Sequence, residues 1–263
     1  MMGATTDAAD KHDWDSHWSD YVEAVDLNPT QVYRRRLLNK AIRRRFPSSG
    51  DGLRLIDLGS GTGDLARVIM ADFPGAKVVG LENSKSGVEL ATKAEPRARF
   101  LQTDLMQPQN PAGEDRGWAN VATCSEVLEH VEDASKLLSN ARAYLAPDTL
   151  VVITVPGGKM SYFDRYVGHL RHYTEASLRE TLEAAGFRVV EVWRAGFPFF
   201  NLYKISAIIR GKSLVNDVAG PARGISLPAR LAMLVFGILF RLNLTSTPWG
   251  WQLVAVAANE AGA

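Results

Sequence analysis

The segment Leu55–Ile69, LIDLGSGTGDLARVI, runs from an apolar stretch through three glycines in five positions into a helix-like pattern. Gly59, Ser60, Gly61 and Gly63 leave backbone N–H groups bare at a helix mouth, an arrangement that cradles a polar ligand. A dinucleotide fingerprint would place its last glycine where Asp64 stands, and Asp57 closes the apolar stretch directly under the loop. Two acids so close would serve a diphosphate poorly and a sulfonium or ammonium well. Glu82 ends the next apolar run, where a carboxylate can take both hydroxyls of a ribose. The loop therefore suits an adenosine carrying a cationic, amino-acid-like tail.

Groups able to move a proton follow. In CSEVLEHVED, Glu129 and His130 fall just past a strand-like run. His130 is the foremost candidate for a general base, and a helix-end residue bonded to backbone is its alternative reading. DRYVGHLRHYT (164–174) offers His169, Arg171, His172 and Tyr173, read either as an acceptor-binding loop or as a loop clamped by its own polar bonds. His169 and His172 near Asp164 lack a firm third ligand, so no metal is assigned. His12 is read as a solvated residue. His17, close to Trp14, Trp18 and Tyr21, is read as part of a segment able to fold over a ligand.

These groups need elements to carry them. Strands are expected over 53–58, 76–82, 98–104, 118–125, 149–156, 187–196 and at the last run, WGWQLVAVAAN (249–259). Helices are expected over 14–45, 63–72, 84–94, 133–145 and 174–186, the last opening on a capping-box pattern at Thr174 and Ser177. Strand–helix alternation predicts an α/β doubly wound, mostly parallel seven-stranded sheet. Residues 1–48 form an N-terminal helical lid segment and 49–263 the main domain, with an acceptor loop at 156–174 and a helical insertion at 197–247.

Taken together, DLGSGTGDLA, VVGLE, FLQTDL, CSEVLEHVED and YLAPDTLVVITVP resemble the successive motifs of the class I S-adenosylmethionine-dependent methyltransferases. The resemblance covers about 53–195 plus the last strand and implies a Rossmann-like fold with S-adenosyl-L-methionine as cofactor. It implies roles by position. Asp57 and the Gly59–Gly63 loop hold the methionine part, and Glu82, with Asn83 beside it, holds the ribose. Asp104 faces the adenine with Leu105 beside the ring. Cys124, Ser125 and Glu126 line the reacting end.

The acceptor is narrowed by what is missing. A formal net charge of +1 gives no pull toward nucleic acid, and CSEV replaces the Asn/Asp-Pro-Pro-aromatic segment that flanks a flipped base. One cysteine, Cys124, excludes an intrachain disulfide and fits the cytoplasm. The apolar run Leu231–Phe240 is too short to span a bilayer, which needs about 20 residues. In YRRRLLNKAIRRR (33–45), Leu37, Leu38, Ala41 and Ile42 form the buried stripe. Its cations form a solvated face, or meet anionic lipid head groups or an acidic acceptor. The insertion's apolar residues, among them Phe199, Phe200, Leu202, Tyr203, Ile205, Leu231, Leu234, Phe236 and Ile238, could cap an apolar pocket, enlarge the core or make a homodimer contact. The expectation is O-methylation of a carboxylate or hydroxyl on a hydrophobic, lipid-like small molecule. C- or N-methylation of a quinone, sugar or other natural product is the alternative.

Overall fold

Alternating side chains on buried strands need two apolar covers. Leu55 belongs to one core and Ile56 and Leu58 to the other, and Val152 is set apart from Val151 and Ile153 in the same way. The computed structural model describes residues 28–46, 48–214 and 227–260. His12, Trp14, His17, Trp18 and Tyr21 lie outside the described residues, as does most of the expected lid.

Seven strands are present: β1 (Arg54–Leu58), β2 (Lys77–Glu82), β3 (Arg99–Gln102), β4 (Ala119–Ser125), β5 (Leu145–Pro156), β6 (Phe187–Ala195) and β7 (Gln252–Asn259). They form one sheet in the order β3-β2-β1-β4-β5-β7-β6. The first five are parallel, and β7 runs antiparallel to both β5 and β6. Strand order reverses between β1 and β4, which is where open α/β sheets form their ligand crevice.

The helices are α1 (Pro29–Arg43), α2 (Asp64–Asp72), α3 (Lys85–Ala94), α4 (Ala134–Ala141), α5 (Tyr162–Tyr166), α6 (Glu175–Ala184), α7 (Phe199–Arg210) and α8 (Leu227–Leu239). α6 opens with the reciprocal Thr174/Ser177 capping box expected from its sequence. The helix expected over 133–145 stops at Ala141, because Leu145 pairs with Ala119 and begins β5 early. A short helix, α5, interrupts the expected acceptor loop, capped by Ser161 and Asp164.

α1 buries Leu37, Leu38, Ala41 and Ile42, as the stripe predicts. Of the roles left open for the insertion, its inner faces take that of enlarging the core. Phe200, Tyr203, Phe236 and Phe240 stack with Tyr33 of α1 in one aromatic cluster. Leu202, Ile205, Leu231, Leu234 and Ile238 point outward and are exposed. An apolar stripe on each helix is thus left over once the cluster is filled. Among the described residues, no helix is long and apolar enough to cross a membrane.

Candidate cofactor and acceptor site

The cofactor half is built on the tips of β1, β2 and β4. Gly59, Gly61 and Gly63 all have positive φ, which lets the chain turn sharply from β1 into α2. At Gly59 a Cβ would come within 2.5 Å of the Val127 side chain, so no other residue fits. The loop is pinned from the side: Glu82 accepts hydrogen bonds from the N–H groups of Gly61 (2.9 Å) and Ser84 (2.8 Å). Asn83 is exposed beside it.

Asp57 lies one register step from this loop, opposite Thr123 of β4, whose hydroxyl donates to its carboxylate at 2.8 Å. Burial pushes the Asp57 carboxyl up to about 7; the Thr123 bond opposes the rise and the Glu82 charge adds to it. No described cation pairs with Asp57, and the buried Ser60 hydroxyl has no hydrogen-bond partner. A buried acid without a cation, an orphaned hydroxyl and a glycine-rich loop fit a ligand with a positive sulfur and an amino-acid tail. Asp57 and Ser60 would hold that tail and Glu82 the ribose. The N–H groups of Gly59 and Ser60 donate to the Leu81 carbonyl, that of Gly63 to the Ser60 carbonyl and that of Gly61 to Glu82, so the glycines make room for the ligand and are not the bare donors expected.

At the next tip, Asp104 is half-buried and caps the Met106 N–H at 2.9 Å, and Leu105 is buried beside it. Cys124 is fully buried, and burial drives its thiol well above the ordinary range, so it packs and does not react. Ser125 shares a hydrogen bond with Thr154 of β5 (2.8 Å).

Glu126 is not open to solvent. It holds a left-handed backbone (φ 57°), and its carboxylate is ion-paired to Arg34 of α1 at 2.7 Å and accepts from Gln252 Nε2 at 2.9 Å. Arg34 Nε in turn donates to Gln252 Oε1 at 3.0 Å. Arg34 thus corrects the reading of the basic stretch as a purely solvated face. Its spacing was the available signal: it stands three, four and seven residues before Leu37, Leu38 and Ala41, on the buried stripe.

The acceptor half gathers from two segments distant in sequence. Glu129 and His130 lie in a short 3-10 turn after β4. His169 and His172 follow α5. The His130 and His169 rings meet edge to face at 4.6 Å between centroids. His169 Nδ1 and His172 Nε2 are 3.3 Å apart, and His172 Nδ1 lies 3.2 Å from the Gly158 carbonyl. Burial lowers the pKa of both: His169 falls to about 2, helped by His130 and Lys204 against the pull of Asp164, and His172 falls although Asp164 opposes it, so both imidazoles are neutral at pH 7.

A carbonyl only accepts, so His172 donates from Nδ1 and its Nε2 is bare. His169 then donates from Nδ1, which leaves its own Nε2 unprotonated. The chain of bonds sets the tautomer of His169, one of the candidates the sequence offers. The backbone can bring the Gly158 carbonyl to His172 because Gly158, at φ 72°, turns tightly against the Trp251 ring, where a Cβ would sit at 2.6 Å.

The remaining candidates take supporting parts. Glu129 is fully buried, neither of its oxygens has a hydrogen-bond partner among the described residues, and burial, with the Glu126 charge, raises its pKa well above the carboxylate range. Tyr173 is withdrawn from acceptor chemistry: its hydroxyl is buried and donates to the Leu128 carbonyl at 3.1 Å, which fastens the turn that carries His130. Asp164 would be raised by burial, but Lys204 of α7 at 2.6 Å and the Ser161 N–H at 2.7 Å outweigh this and hold it low.

Two triads bring their ligand atoms within 4.8 Å of one another: Glu129, His130 and His169, and Asp164, His169 and His172. Either triad has donors suited to a divalent cation, although Lys204 already neutralises Asp164. The sequence reading found the second triad and did not link His169 to Glu129 and His130.

Comparison with known proteins agrees with this geometry. The chain resembles the trans-aconitate 2-methyltransferase of Variovorax paradoxus, at 34% identity over 111 residues, covering 41% of this chain and 40% of that one. It also resembles the ubiquinone biosynthesis O-methyltransferase of Vibrio campbellii, at 30% identity over 122 residues, covering 44% of this chain and 50% of that one. The chain thus spans about half the length, or less, of these curated relatives.

The fold matches the methyltransferase of a Haloferax volcanii methyltransferase–activator complex (TM-score 0.58, 17% identity, 95% of this chain and 98% of that one). It also matches Haemonchus contortus phosphoethanolamine N-methyltransferase 2 bound to S-adenosyl-L-methionine (TM-score 0.54, 18% identity, 93% and 60%). A methyltransferase-domain family model matches residues 31–192, more than half of the chain and spanning both halves of the site. The acid-floored glycine loop and this match together make the chain a member of the methyltransferase-domain family.

Proposed function

We propose that the chain methylates a hydroxyl oxygen on a hydrophobic small molecule, with His169 Nε2 accepting a hydrogen bond from the hydroxyl and so aiming its oxygen at the methyl group. The observation that carries this reading is the Gly158–His172–His169 chain, which leaves a neutral imidazole with a bare Nε2 beside His130. The cofactor supplies the methyl group and its own leaving group. The protein has only to align the acceptor and exclude water.

Among oxygen acceptors, a hydroxyl fits better than a carboxylate. The two buried cations of this region, Arg34 and Lys204, are each held by an acid, Glu126 and Asp164. Neither is left to receive a carboxylate. A hydrophobic acceptor accords with Tyr162, Tyr166 and Leu170, all exposed on and just after α5, where the chain enters the histidine cluster. The name of the Vibrio campbellii relative, a ubiquinone biosynthesis O-methyltransferase, points to the same acceptor atom.

The test is methyl transfer from labelled cofactor to a panel of apolar phenols, alcohols, carboxylic acids and amines. Phenols or alcohols should be labelled. His169→Gln should lower turnover on them by about a hundredfold or more with cofactor affinity kept. Labelling of amines alone would replace this reading with N-methylation. Labelling of carboxylic acids alone, indifferent to His169→Gln, would remove His169 from that task.

A further inference from the structure

α7 and α8 are two-faced in an unusual sense: both faces are apolar. The inner faces fill the aromatic cluster around Tyr33, where Tyr203 and Phe236 meet at 5.1 Å. The outer faces carry Leu202, Ile205 and Ile209 on α7 and Leu231, Leu234 and Ile238 on α8. Each set has the three- and seven-residue spacing of a single helical stripe. These side chains are heavily exposed, Ile209 at 79% and Leu234 at 63%. An apolar surface of this kind on a water-soluble fold needs a partner.

The charge around it says which. From Gly196 to Asn259 the sequence has one acid, Asp217, against six cations. Four of those, Arg210, Lys212, Arg230 and Arg241, are exposed at the ends of α7 and α8. Aromatic side chains sit at the rim: Lys212 lies over the Tyr162 ring of α5, and exposed Trp249 is tied through its carbonyl to Asn201 of α7. Apolar stripes bordered by cations and amphipathic aromatics match the boundary of a bilayer with anionic lipids.

We propose that the α7–α8 surface seats this protein on an anionic lipid bilayer. The docked face is mechanically joined to the acceptor half. Lys204, on the inner side of α7, grips Asp164 of α5, and α5 leads directly into His169. The bilayer would therefore lie beside the acceptor loop and deliver a lipid-soluble acceptor to it. That last consequence rests on the proposed function, whereas docking itself does not and is read without any methyl transfer.

The full chain should be floated with phosphatidylcholine vesicles, with and without phosphatidylglycerol. Co-flotation should require phosphatidylglycerol and weaken with salt. The pair Ile209→Glu and Leu234→Glu should abolish it while S-adenosylhomocysteine binding persists. The pair Arg210→Glu and Arg241→Glu, which leaves the apolar stripes intact, should weaken it by about fivefold or more per cation removed. Failure to float with anionic vesicles would overturn the proposal, as would flotation unchanged in both variant pairs. So would light scattering that finds a dimer, split by the Glu substitutions, in a protein that never floats.

Discussion

A carboxyl buried without a cation pays for its charge, and Asp57 does so with a pKa near 7 against an ordinary 3.8. Its folded-state pKa is raised, so the folded protein holds the proton longer than the unfolded chain. Stability is therefore lost as pH rises from about 4 through about 7. The positive groups of the cofactor reverse the preference and favour the ionised acid. Cofactor affinity should rise by up to about tenfold per pH unit below 7 and then level off, with proton release on binding. Calorimetry in buffers of different ionisation enthalpy reads this directly. Asp57→Asn should flatten the profile, weaken binding by about tenfold or more and stabilise the cofactor-free protein above pH 7. A pH-independent affinity in the parent protein would remove Asp57 from the cofactor's charged tail. This residue was legible in the sequence because its relation to the glycines is local: strand end, loop and helix start lie within ten positions. The tautomer of His169 was not legible, because it depends on the Gly158 carbonyl, which reaches His172 only through the fold.

α1 shows how far a helix can be read from its own pattern. The Asn28 cap, the proline after it and the stripe through Ile42 are local and were recoverable. What α1 does was not, since Arg34 reaches Gln252, 218 residues away in sequence, and Glu126 just past β4. Just past the same helix, Arg44 is ion-paired with Glu191 in the open, where such pairs contribute little. The buried pair is different in kind. Removing one partner strands the other charge, so Arg34→Met and Glu126→Gln should each cost about 3 kcal/mol in urea unfolding. The double variant should cost clearly less than the two together, because neither charge is then left alone. Single losses of about 0.5 kcal/mol that simply add would make Arg34 an ordinary surface arginine and detach α1 from the site. A coupled result makes α1 the back wall of the reacting end.

At the scale of the whole molecule, strand–helix alternation was enough for the sheet's parallel half, and hydrophobic period says nothing about direction, which is why the antiparallel β7 was not foreseen. The insertion stayed open between pocket cap, core and dimer contact for a related reason: apolar content records that a face will be buried, not against what. The cofactor site draws on the tips of β1, β2 and β4 and on the loop after β3, so a ligand there bridges segments from Asp57 to Glu126 and binds only the folded chain. S-adenosylhomocysteine at about a hundred times its Kd should add about 2.7 kcal/mol to folding. For a chain of this size that raises Tm by roughly 5–10 °C. NAD should give no shift, because its diphosphate would meet Asp57, a buried acid with no cation beside it. Since Asp57 must be ionised to hold the amino-acid tail, the shift at a fixed ligand concentration should be larger at about pH 8 than at about pH 6. Differential scanning fluorimetry across that range separates the claims. No shift at either pH denies the cofactor, and an equal shift at both keeps the cofactor but denies Asp57 its part in holding it.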